Sequence, residues 1–356
     1  MMLEEVQRQQ SAVLGPAAEH PTGALRYLYV VGGQQRSLQP IRAQFGDWYE
    51  YQKAVAIRVD TLTGEAETVI EYVSPPDACP AEDPAILFKS GTLENDRLYV
   101  STQTEVLVYR VPSFELELRL SLPFFNDVHH VRPTPTGNLL VAITGLDMVA
   151  EVTLSGDVVN EWNVLDLASS PFGDRFSRQV DYRKVPSTKP HLAHPNHVFY
   201  IGTEPWATRF QQQDAISLVD PTRRIPIGVE RLHDGVVYGN KVLFTSINGR
   251  VVVADTVKLE VTEVVDLPSM HRNDLLLGWC RGLLLDDTRV WIGFSRMRPT
   301  RFRENVAWLK NGFRHFLGTH IGLYDLADRR CLAQIDTSRF GIDAVFGIFP
   351  GGVETL

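Results

Sequence analysis

Cysteine is scarce in this chain: Cys79, Cys280 and Cys331 are the three it has in 356 residues. An odd, widely spaced set gives no disulfide framework and points to a reducing compartment. No apolar run nears the roughly 20 residues that span a bilayer, so no membrane association is expected. The start, Met1 to Arg8, is charged and lacks the apolar core of a signal peptide. A cytoplasmic location is therefore expected. Basic charge is in deficit, with 35 Lys and Arg against 43 Asp and Glu and a net charge of −8. That argues against nucleic acid as the partner. Helical periodicity is almost missing too.

What is present is turn-rich β text. From Leu25 onward, short runs of Val, Ile, Leu, Tyr and Phe are broken by Gly, Asp, Asn and Pro. One segment recurs five times: Lys89–Leu93, Val128–Arg132, Pro195–Phe199, His233–Val237 and Cys280–Leu284. Each copy leads through a turn into a second apolar strand, as in Leu98–Val100, Leu139–Val141 and Val290–Ile292. Third strands end in turn signals such as Asp60-Thr61-Leu62-Thr63-Gly64, and more exposed fourth strands follow. Four strands per repeat, at a spacing of roughly 35–60 residues, predict an all-β propeller. The spacing gives six blades of four antiparallel strands, over 25–73, 84–122, 127–165, 194–230, 232–268 and 278–337. The tail Gly341–Phe346 reads as one more inner strand, expected to close the ring against the first blade. Residues 1–23 read as a polar leader before a single propeller domain, 24–356. Insertions at 34–52, 166–193 and 296–316 break the period. Insertions of that length usually carry lids or partner surfaces.

Seven of the ten histidines fall at or near the strand entries: His129, His130, His191, His194, His197, His233 and His271. In a propeller these entries converge on the axis, so dispersed histidines are expected to meet there. Aligned copies also set Ser90, His129, Asn196, Asp234 and Arg281 in equivalent places. Neutral imidazole is the commonest ligand of zinc, iron or copper. His129, His194, His197 and His233 are the candidate metal ligands. His130, Asp234 and Arg281 are the candidate catalytic groups. Adjacent residues of a strand point to opposite sides, so His129 and His130 cannot both face the axis. Without a metal, the same set could work by histidine acid–base or nucleophilic catalysis.

The insertion 296–316 carries five arginines and one lysine against the single Glu304. Arginine forks match carboxylate, phosphate and sulfate oxygens. Arg296, Arg298 and Arg301, with Trp206 as an aromatic wall, are the expected binders of a small anionic molecule. Residues 304–313 could form a short amphipathic helix within this insertion.

Two family resemblances accompany these readings. The stretch Asn126–Arg132 with Gly137–Val141 and Val152–Trp162 resembles a blade of the arylsulfotransferase-type propellers. That implies a six-bladed enzyme using channel histidine and arginine to move a sulfuryl group between phenols. A longer pattern resembles a family of uncharacterised bacterial propeller proteins: Gly278–Leu283, Trp291–Arg298 and Gly322–Leu326. It implies the fold and no activity. The expectation is a propeller enzyme with a metal-assisted hydrolysis, elimination or group transfer. Metal-free sulfuryl transfer and a non-catalytic scaffold for ligands or a protein partner are the alternatives.

Overall fold

Every expected blade forms, and five of the six take their inner strand from the repeated segment. The computed structural model describes residues 24–36, 51–272, 275–296 and 315–352. The leader 1–23, the core of the first insertion, Arg298, Arg301 and the 304–313 helix lie outside the described residues.

The inner strands are Gly91–Glu94, Val128–Pro133, Pro195–Ile201, Leu232–Tyr238 and Trp279–Asp286. Each begins a four-stranded antiparallel sheet. The sixth sheet is completed from both ends of the chain. Ala344–Pro350 pairs antiparallel with Tyr27–Gln35, so the tail is the inner strand of blade 1. That pairing protects an edge that would otherwise be left open. The inner strands touch in ring order, and Ala344–Pro350 meets Gly91–Glu94 to close the circle.

Alternating apolar residues put one core between each pair of neighbouring blades. The fourth strands face water; Glu115–Leu120 and Val158–Asn163 are largely exposed. No helix among the described residues is long and apolar enough to cross a membrane.

The antiparallel order fixes which loops share a face. Inner strands start on one face, here the entry face. Second strands end there and third strands start there. Tyr27–Gln35 ends and Tyr51–Asp60 begins at that face, Arg289–Ser295 ends there, and 166–193 lead into the blade 4 entry at Pro195. All three insertions are therefore attached at one end of the channel.

Candidate functional site

A β-bulge sits near the entry-side end of five of the six inner strands; Gly91–Glu94 in blade 2 pairs regularly. In blades 3 and 4 the register skips His129 and Asn196. Blade 5 carries the extra residue within His233–Val236, and the closing strand skips Phe346. In blade 6 the skipped residue is Gly282, while Arg281 pairs with Gly293. The aligned set is thus one residue out in blade 6. A bulge turns one side chain away from its neighbour's direction. Here it sends His129 and His130 to different centres, so the expected single histidine cluster is two.

The first centre lies at the entry end. Lys89 is fully buried and forms an ion pair with Asp127. Its Nζ lies 3.5 Å from Nδ1 of His129. The same Nδ1 is 2.8 Å from the backbone oxygen of Asp127, which accepts its proton and fixes the tautomer. His194 packs 5.0 Å from His129 and His233 packs 6.5 Å away, between ring centroids. Phe210 stands between His194 and His233, at 4.8 and 5.6 Å. His191 Nδ1 lies 3.8 Å from Asp127.

His194 is delivered by the second insertion. Asp147 accepts the successive backbone N–H groups of Leu192, Ala193 and His194, at 2.9, 2.8 and 2.8 Å. Arg175 donates to the same carboxylate at 2.7 Å. Phe176 and Tyr182 of the insertion are buried in the core between blades 2 and 3.

Burial sets the charge states here. It drives His129 well below its ordinary value, helped by the Lys89 ammonium. It does the same to His233, with Arg281 adding to it, and takes His194 down to about 3. Burial also lowers Lys89 to about 8, against the pull of Asp127. Burial pushes the Asp127 carboxyl up, but Lys89 and the histidines outweigh it and hold the group well below the carboxylate range. The centre therefore contains neutral imidazoles around one ion pair.

The second centre lies just past the bulges. His130 and His197 stack at 3.6 Å. Nε2 of His130 donates to the Gly91 carbonyl at 3.0 Å, and its Nδ1 accepts the Val198 N–H at 3.4 Å. His130 thus ties blades 2, 3 and 4 together. Both of its ring nitrogens are engaged in bracing neighbouring blades. Asp234 accepts the Thr245 hydroxyl and the Gly282 N–H, the latter at 3.2 Å. Burial pushes its carboxyl up to about 6.

The remaining expected residues divide. Arg281 is buried and lies 4.6 Å from the Phe346 ring centroid. Arg296 is held by Asp343 at 3.0 Å and by Gln35, at the rim. Trp206 is no aromatic wall: it is fully buried in the core between blades 4 and 5, beside Phe199. His271 also leaves the group, bonding the Tyr324 hydroxyl at 3.1 Å. His197 lies against the His130 ring, while His129, His194 and His233 gather at the first centre. No group of three or more His, Cys, Asp or Glu among the described residues is arranged to hold a metal ion.

Lys89 and Asp127 were not singled out as site residues from sequence. Lys89 occupies a place where the other copies have Val128, Pro195, His233 and Cys280. A lone lysine at an otherwise uncharged buried position was the available signal.

No protein-family model matches the chain, and none of the curated proteins matches it in sequence. Among solved structures it is similar to a protein of unknown function from Bacteroides caccae. Identity is 13%, over 91% of this chain and 98% of that one, with a TM-score of 0.59. A propeller in the nidogen/laminin complex matches at 10% identity, over 90% and 97% of the two chains, with a TM-score of 0.48. The chain is a six-bladed β-propeller. At these identities the likeness extends to the fold alone.

Proposed function

We propose that this propeller is an enzyme acting on a small anion at the entry end of its channel. The observation that carries the reading is the fully buried Lys89–Asp127 pair set among His129, His191, His194 and His233. Burying an ion pair is seldom the most stable way to fill a core. Its retention beside several neutral imidazoles supports a chemical use.

In this reading Lys89 and Arg281 attract the substrate's charge. The His129 imidazole keeps its Nδ1 proton on the Asp127 carbonyl and works through Nε2 as base or nucleophile. The Lys89 ammonium, its pKa lowered to about 8 by burial, donates its own proton to the leaving group and is reprotonated from water after product departs. That set serves departure of an anionic group, the step common to hydrolysis, elimination and group transfer.

The test is turnover of p-nitrophenyl sulfate, phosphate and acetate by wild-type protein and by His129→Ala. We expect turnover of at least one ester, reduced about 100-fold or more in the variant, with an unchanged circular dichroism spectrum. No turnover of any ester, or equal turnover by the folded variant, leaves the scaffold alternative standing. Metal analysis of the same preparation decides the cofactor. Stoichiometric zinc, iron or copper, lost in His129→Ala, would make the imidazoles ligands.

A further inference from the structure

Toward the far end, the channel holds a cavity of about 250 Å3, lined by residues of the five bulged inner strands from their bulges onward and by Ser90, Gly91, Thr92 and Leu93 of blade 2. Lys89, Asp127, His129, His194 and His233 of the first centre are not among its lining residues. Val236, Leu284 and Ile348 give it apolar surface; Arg132, His197 and Asp234 give it polar groups.

The polar groups are incompletely matched. Arg132 lies 5.6 Å from the Tyr200 ring centroid, and its Nε has no hydrogen-bond partner among the described residues. Burial pushes its pKa down, with the Glu94 charge only partly opposing this. His197 is 6% exposed, and its Nδ1 has no hydrogen-bond partner among the described residues. Such groups cost stability inside a protein unless a partner arrives. The two hydrogen bonds that Asp234 accepts both fall on Oδ2, which leaves Oδ1 for a donor.

We infer that this cavity binds a small carboxylic acid that carries a hydroxyl group at its other end. The carboxylate forks onto Arg132, whose planar guanidinium suits two parallel hydrogen bonds. The hydroxyl donates to Asp234, and His197 adds a neutral polar contact. The ligand's body lies against Val236, Leu284 and Ile348. The space is below the roughly 300–1,000 Å3 of drug-sized sites, which fits a single ring or short chain. The site stands apart from the entry-side centre and does not depend on the activity proposed there.

The probe is 4-hydroxyphenylacetate, with 2-(4-hydroxyphenyl)ethanol as its uncharged counterpart, titrated by calorimetry at neutral pH. The acid should bind wild-type protein at least about tenfold tighter than the alcohol. Arg132→Met should bring the acid down to the level of the alcohol. Should that variant fail to fold, Arg132→Lys carries the test: it keeps the charge and loses the fork. It must weaken acid binding and leave the alcohol unchanged. Failure of the acid to bind wild-type protein at millimolar concentration overturns the inference. So does undiminished acid binding by a folded Arg132 variant.

Discussion

At the scale of single residues, burial governs the titration of the channel, and it acts in opposite directions on two residue types. His194 and His197 are held near 3, and His129, His130 and His233 well below their usual value. An unfolded chain protonates these imidazoles near pH 6.5. Their stabilising effect is therefore complete above pH 6.5 and declines as pH falls toward 3. Asp234 has the opposite sign. Its folded value of about 6 exceeds the ordinary carboxylate value, so its contribution is full below about pH 4 and is lost as pH rises through 6. Asp234→Asn removes that loss. We expect the variant to melt higher than wild type at pH 8, by on the order of 3 kcal/mol at most, with the difference gone by pH 4. A gap that persists at pH 4 would show that the carboxyl is not the cause.

At the scale of elements, the segment from His191 to His194 depends on one carboxylate. Burial pushes Asp147 up, yet the N–H groups of His194 and Leu192 and the Arg175 guanidinium hold it below the usual range. Asp147→Ala leaves three backbone donors without their acceptor. The expected cost is about 2–3 kcal/mol. Hydrogen exchange should quicken at Leu192, Ala193 and His194 while the blade strands keep their protection. Uniform quickening through the blades would contradict a local role. This scale also marks what the sequence could disclose. Repeat spacing disclosed the blades, the closing strand and the convergence of His129, His194 and His233. Alternation along a strand disclosed that His129 and His130 must part. It could not disclose where each would go, because that depends on a bulge set by pairing with the next strand. Trp206, with Arg209 three residues on, reads as an aromatic wall for an anion. Packing between blades 4 and 5, which no local pattern records, buries it instead.

At the scale of the whole molecule, the fold makes the two ends of the channel unlike. The strand ends that flank the three insertions, the Lys89–Asp127 pair and four histidines lie at the entry end. The far end receives the cavity with Arg132. Closure depends on close backbone approach: a Cβ at Gly32 would lie 1.7 Å from the Ala344 oxygen of the closing strand. The ring therefore holds both ends in a fixed relation. The central claim is that the entry end handles an anion, and calorimetric titration with inorganic sulfate and phosphate tests it most directly. The account predicts binding at pH 7 that weakens as pH is raised through about 8, where Lys89 loses its charge. It also predicts a loss of about tenfold or more in a folded Lys89→Met variant. Absence of binding to the wild-type protein would contradict the account, as would binding that is indifferent both to that pH range and to the loss of Lys89.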